Sequence, residues 1–229
     1  MMIASFDFRQ QEPYREGRTK QLYHTENECE LILRFKDDAT TYDGFWHSHI
    51  DGKGAVNNQI NQLLMHMLEA QGIGTHLIRE EAADAMRVRK LRMIPLEVVV
   101  RNVAAGSLSR RLGLPEGTQL ENPVIEYNFK SDELGDPLVN EYHIAAMGWA
   151  TAEQLREMAF TSFRVNQLLK AHLAQVGIEL VDFKLEYGVT NEGELVLADE
   201  ITPDTCRLWD SKTHRKMDKE HFEHDHDGT

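Results

Sequence analysis

Long hydrophobic runs are missing from this chain. No apolar stretch reaches the roughly 18 residues of a membrane-spanning helix, which argues against a helical membrane protein. Cysteine is scarce: Cys29 and Cys206 are the only two and stand far apart. A disulfide framework is therefore not expected, and reduced thiols in a cytoplasmic protein are. Basic residues are outnumbered, 25 Lys and Arg against 38 Asp and Glu, for a net charge of −13. That balance argues against broad binding to nucleic acid or an anionic membrane. Any anionic ligand must be captured by a local cluster of Lys and Arg. The opening stretch MMIASFDFRQQEPYREG lacks a long apolar segment, so no secretory signal is expected. Repeats and low-complexity blocks are absent too.

What is present describes a globular protein. The 229 residues are 41% apolar and 28% charged, enough for one large domain or two lobes with a substantial core. KQLYHT (20–25) and ELILRFK (30–36) read as strands of a meander, followed by the turn-rich DDATTYDG (37–44). A helix is expected over 53–71, with Val56, Ile60, Leu63, Leu64, Met67 and Leu68 on its apolar face and Gly72 as its stop. Strands follow at 75–80, 85–92 and 95–101. Thr151 and Gln154 form a capping-box pattern opening a helix to about Val176. A hairpin is expected over about 178–199, then a loop ending in Arg207, then a helix starting near Ser211. Strands and helices mix without regular βαβ alternation, which indicates an α+β fold. A boundary near Met93–Pro95 divides 1–93 from 94–229, though no linker composition marks it.

Several stretches could carry chemistry. In EGRTKQLY (16–23), a glycine among cations opens a strand, an arrangement that can lay N–H groups and positive side chains against phosphates or arise by chance. RNVAAGSLSRRLG (101–113) ends a strand at Arg101 and places Ser107 at a helix start. It is either an anion site or a plain cap beside a solvated Arg, with Arg110 and Arg111 solvated. In the hairpin, Asp182, Lys184 and Glu186 share one face. A four-residue turn at Asn191–Glu194 would set Glu186 opposite Asp199. Facing like charges destabilise a strand pair unless a divalent cation lies between them. The competing reading has Lys184 neutralising the acids on a solvated face. KSDELGDPLVNE (130–141) is a polar loop, and the tail HFEHDHDGT is either a loose metal binder or a frayed end.

Taken together and in order, KGAVNNQIN (53–61), RNVAAGS (101–107), DPLVNE (136–141), VDFKLEYG (181–188) and ADEITPD…RLWD (198–210) resemble the SAICAR synthetase family, from about Tyr14 to about Met217. The resemblance implies a β-rich N-terminal ATP lobe over 1–93 and an α+β ribonucleotide- and metal-binding lobe over 94–229, with a cleft reminiscent of kinases and ATP-grasp enzymes. It implies an ATP- and Mg²⁺-dependent ligase. ATP would phosphorylate carboxyaminoimidazole ribonucleotide, and the L-aspartate amine would attack the acyl phosphate. By the same resemblance, Gly17, Arg18 and Lys20 line the ATP phosphates. Glu186 and Asp199 hold Mg²⁺, and Lys184 offsets charge beside them. Arg101, Ser107 and Arg207 clasp the 5′-phosphate, and Lys130 and Asp136 belong to a substrate loop. A homo-oligomer is compatible with it. Two departures stand out: Arg18 where the family usually has Lys, and Thr205-Cys206 where a smaller pair is expected. Two rivals remain: a paralogue using another amine, and an inactive nucleotide-binding homologue.

Overall fold

A computed structural model of the chain describes residues 7–41 and 46–218. The tail HFEHDHDGT lies outside them. The first strands are β1 (Arg15–Glu16), β2 (Lys20–His24) and β3 (Glu30–Phe35), followed by the short pair β4 (Asp38–Thr41) and β5 (Trp46–His49). The stretch expected as a turn thus begins as a strand, because Asp38–Thr41 pairs antiparallel with Trp46–His49. Helix α1 (Lys53–Ala70) leads into β6 (Leu77–Ala82) and β7 (Ala85–Arg89). β1, β2, β3, β7 and β6 form one antiparallel sheet in that spatial order.

The second sheet begins at β8 (Arg92–Val103), which runs unbroken through Met93–Pro95. After α2 (Gly106–Leu112) come β9 (Gln119–Phe129), β10 (Leu138–Val139), α3 (Glu141–Met147), α4 (Ala152–Ala174), β11 (Ile178–Val189), β12 (Leu195–Ala198) and β13 (Cys206–Asp210). The expected capping box is present: Thr151 Oγ1 accepts from Gln154 N while Gln154 Oε1 accepts from Thr151 N. Alternation sorts this sheet's two faces. Leu96, Val98 and Val100 on β8 and Phe183, Leu185 and Tyr187 on β11 join Met158, Val165 and Leu169 of α4 in the main core. Each fully buried side chain of this size contributes about 1.5–3 kcal/mol. Glu97, Arg101, Asp182, Lys184 and Glu186 take the alternate positions, away from α4.

α1 joins the two layers, with Met65 in the core under the first sheet and Leu64 and Leu68 in that of the second. Of the expected face, Leu64 and Leu68 are buried and Ile60 and Met67 pack against the core, but the rest differs. Val56 and Leu63 are exposed, and Asn57, Asn58 and Asn61 are buried instead. The reason is backbone polarity. Asn58 Nδ2 donates to the carbonyls of Ala82, Ala83 and Ala85, and Asn61 Oδ1 accepts from Ile201 N. Buried main-chain groups outside regular ladders need such partners.

Three expectations about the C-terminal part are corrected. Glu186 is opposite Ala198, not Asp199, and the last pair of the hairpin is Val189 with Leu195. The turn is therefore Thr190–Glu194, one residue longer than expected, with Thr190 N donating to Glu194 O. One residue in the turn shifts every cross-strand pair. Next, Arg207 does not end a loop but lies within β13. Finally, no helix starts at Ser211: Ser211–Thr213 is a turn, in which Asp210 Oδ1 accepts from the N–H groups of Lys212 and Thr213.

Candidate active site

β11 organises the site. One edge pairs with β8; the other pairs with β12 and then with β13. Between β12 and β13 the chain leaves the edge over 199–205 and returns with Thr205 O accepting from Lys184 N at 2.9 Å. The departure is sharp because Asp199 has a φ of 59°, in the left-handed region that non-glycine residues seldom occupy. Its carboxylate consequently joins the same cluster as Glu186, although the two are not strand partners.

At one end of this face is a lysine–carboxylate cluster. Lys184 Nζ lies 3.0 Å from Glu186 Oε1, 3.0 Å from Glu97 Oε1 and 3.5 Å from Asp199 Oδ2. Lys20 reaches across from the first sheet to Asp199 and, at 2.7 Å, to Glu200. Lys130 pairs with Glu186. Facing acids are indeed present, but they are Glu186 and Glu97 on β11 and β8, and the lysine between them offsets their repulsion. Burial by itself would raise the Asp199 pKa, yet Lys20, Lys184 and Lys130 outweigh it and hold the carboxyl well below the usual range. Burial likewise opposes charge on Lys184, and Asp199, Glu186 and Glu97 override it, holding its pKa well above the ordinary lysine value. Lys184 thus neutralises acids, as the competing reading expected of it, but in a largely buried cluster with Glu97, Glu186 and Asp199.

Asp182 belongs to a second group. On β11 it stands between Arg101 of β8 and Arg207 of β13 in direct register. Arg101 Nη1 donates to Asp182 Oδ2 at 2.9 Å and Arg207 Nη1 to the same oxygen at 2.8 Å. Arg101 also donates to Ser107 Oγ at 2.9 Å and to Glu126 at 2.6 Å. Arg207 lies against Gly106: a Cβ there would come within 2.7 Å of Nη2, and the φ of 53° is a glycine conformation. Arg101 and Ser107 thus meet Arg207, about a hundred residues further along the chain, in one cluster, the arginine clamp. Arg111, expected to be solvated, pairs with Glu126.

The remaining expected residues divide. Gly17 N–H donates to Lys20 O, closing the β1–β2 turn. Arg18 is not beside Lys20's acids but pairs with Asp132 at 2.9 Å, linking that turn to the loop after β9. Asp136 turns inward in its own loop, accepting from Ser131 N at 2.8 Å. Cys206 points into the main core rather than into the clamp, and burial pushes its thiol pKa up. Sequence reasoning missed Glu97, Glu126, Asp182 and Glu200 as partners, because their significance lies in cross-strand register. It also missed Lys53 and Asn57 of α1, which both hold Asp204. His76 is buried with Nε2 3.0 Å from the Asp199 carbonyl, and burial pushes its imidazole down to about 4.

The donor set of Glu186 and Asp199 suits a hard divalent cation: oxygen ligands only, nearly sealed from solvent, with the Lys184 ammonium already between them. Among the described residues, no helix is long and apolar enough to cross a membrane.

Comparison with known proteins identifies the family. Residues 13–228 match the family model for SAICAR synthetase. The chain is 51% identical to the phosphoribosylaminoimidazole-succinocarboxamide synthase of Idiomarina loihiensis, covering 92% of this chain and 88% of that one. It is 48% identical to the enzyme of the same name from Coprothermobacter proteolyticus, covering 93% and 90%. Among solved structures, the synthase from Ehrlichia chaffeensis superposes with a TM-score of 0.91 at 41% identity, covering 93% and 92%. A SAICAR synthetase (Type-2) in complex with ADP gives 0.90 at 46% identity, covering 95% and 92%. The mixed α/β fold is common to them, and this chain belongs to the SAICAR synthetase family of ligases.

Proposed function

We propose that the chain performs the ATP-dependent formation of SAICAR in purine biosynthesis, joining L-aspartate to carboxyaminoimidazole ribonucleotide. The observation that carries this reading is the order of groups along β11. Asp182 anchors the arginine clamp, Lys184 and Glu186 carry the cluster, and all three share a face. Asp182 and Glu186 are four strand steps apart, about 13 Å, comparable to the length of a nucleoside monophosphate. A ribonucleotide held by its 5′-phosphate at one end would extend its base carboxylate to the other.

In this reading residues 1–93 form the ATP-binding lobe, residues 94–229 the ribonucleotide- and metal-binding lobe, and the nucleotide occupies a kinase- or ATP-grasp-like cleft between them. Arg101, Ser107 and Arg207 hold the 5′-phosphate; two guanidiniums and a hydroxyl suit it better than isolated lysines. Gly17, Arg18 and Lys20 face the ATP phosphates. Glu186 and Asp199 would hold Mg²⁺, which supplies charge neutralisation at phosphate oxygens. A carboxylate is a poor electrophile, so the γ-phosphoryl group passes to it first, a step that needs mainly positioning and electrostatic stabilisation. Lys184, protonated throughout the working pH range, offsets charge on the group in transit. Lys130 and Asp136 belong to a loop that closes over the substrates, Lys130 exchanging Glu186 for substrate. The aspartate amine then displaces phosphate from the acyl phosphate and forms the amide.

The test is ADP release with the ribonucleotide and a panel of amino acids. L-Aspartate is expected to stimulate it strongly. Stimulation by a different amine alone would identify a paralogue, and nucleotide binding without turnover would identify an inactive homologue. Either result would overturn the proposal.

A further inference from the structure

We infer that His76 is a positioning residue for Asp199, acting through the backbone to turn that carboxylate into the cluster; this rests on the reading of Glu186 and Asp199 as the metal pair. His76 Nε2 lies 3.0 Å from the Asp199 carbonyl oxygen. A carbonyl only accepts, so Nε2 carries the hydrogen and donates. The residue it holds is one of three non-glycine residues with a positive φ among those described, with Asp136 and His214. Asp199 sits at φ 59° immediately beyond β12, a conformation that persists in a non-glycine residue only when its surroundings enforce it.

The imidazole is well placed to enforce it, because its own backbone is tied to both sheets. His76 N donates to Leu197 O at 2.8 Å, and His76 O accepts from Arg89 N at 2.7 Å. Leu197 N donates in turn to Gly74 O at 3.0 Å, and Thr75 pairs in parallel with Leu197. Gly74–His76 thus fastens the end of β12 to β7 just before the chain turns at Asp199. The side chain then reaches past β12 to hold the next peptide. With residue 199 in an extended conformation instead, the side chain would alternate to the opposite face from Ala198 and leave the direction that Lys20 and Lys184 now meet. His76 makes this connection on the backbone side of Asp199, and the lysines hold the carboxylate side.

Two nearly isosteric variants separate the hydrogen bond from packing. His76→Gln keeps an N–H at similar reach, and His76→Met fills similar space without one. The probe is Mn²⁺, titrated by electron paramagnetic resonance into each full-length protein in the presence of ADP, with Asp199→Asn as reference. His76→Met is expected to weaken Mn²⁺ binding about 10- to 100-fold, the usual effect of losing a group that orients a metal ligand. His76→Gln should retain most of the affinity, and KM for the ribonucleotide should stay near the parental value in both. Equal losses in the Met and Gln variants, or no loss in either, would overturn the inference. If Asp199→Asn itself bound Mn²⁺ as tightly as the parent, the metal reading would fail. A loss in Asp199→Asn with none in His76→Met would fail the positioning role alone.

Discussion

The arginine clamp is made by strand neighbours, whereas the lysine–carboxylate cluster is gathered from both sheets. In the clamp, Arg101, Asp182 and Arg207 occupy adjacent positions on β8, β11 and β13, so ladder register alone brings them together. Their guanidiniums are planar forks, held by Asp182 and, for Arg101, also by Glu126 and Ser107. In the cluster, Lys20 comes from the first sheet, Lys130 from a loop, and Asp199 from a left-handed turn. Its lysines are point charges on flexible stems, each shared among carboxylates or paired with one. Under the proposed function, the difference would suit a rigid handle at one end of the substrate and a site of changing charge at the other.

The sharpest way to break the comparison is at Glu186. Glu186→Gln is expected to lower kcat about 1,000-fold, on the scale of losing a preorganised charge-stabilising group, while the fold is retained because Lys184 keeps Glu97 and Asp199 as partners. Near-normal ADP release from this variant would remove the metal assignment. At the clamp the effect should fall on binding. Arg207→Ala is expected to raise KM for the ribonucleotide about 10- to 100-fold, matching one lost charge-assisted hydrogen bond, with a much smaller change in kcat. Gly106→Ala should move KM in the same direction through the collision with Arg207. A fall in kcat at constant KM for either variant would contradict the division of labour.

Asp182→Ala probes stability at the point both arginines share. Removing a buried partner leaves two guanidiniums without their common acceptor, and a loss of about 3 kcal/mol is expected by urea denaturation. The cluster should respond differently, through pH. The Asp199 pKa is depressed from 3.8 in the folded state. Its stabilising contribution is therefore fully present above that unfolded value and lost as pH falls through the folded one. The stability gap between parent and Asp199→Asn should stay constant from neutral pH to about 4 and narrow below it. Lys184 has the opposite sign: its pKa is raised from 10.5, so its contribution is full below that value and declines only at higher pH. Denaturant titrations across pH 3–7 and pH 8–11 check both limbs.

How much was legible follows from what each feature depends on. The helices over 53–70 and 152–174 and the strands on either side were readable, because hydrophobic spacing, caps and stop signals are local. Membership of Arg101, Ser107 and Arg207 in one site came through resemblance, and their geometry came from register. The facing acids of the hairpin were sought on the wrong strand, since a turn one residue longer moved Ala198 opposite Glu186 and left Asp199 to arrive by a backbone reversal. α1 misled for another reason. Its asparagines are buried because carbonyls at the β6–β7 turn and the Ile201 amide need partners, a demand invisible to hydrophobic periodicity.

By itself the sequence determined a mixture of strands and helices, the order of the elements with clear local signals, and the face of β11 on which Asp182, Lys184 and Glu186 fall together, because a strand's period of two is a local property. Only the tertiary structure decided which charges meet across it. Asp182 faces two arginines, Glu186 faces Glu97, and Asp199 enters through its left-handed turn, because strand register and non-local ion pairs are set by the packing of segments distant in the chain.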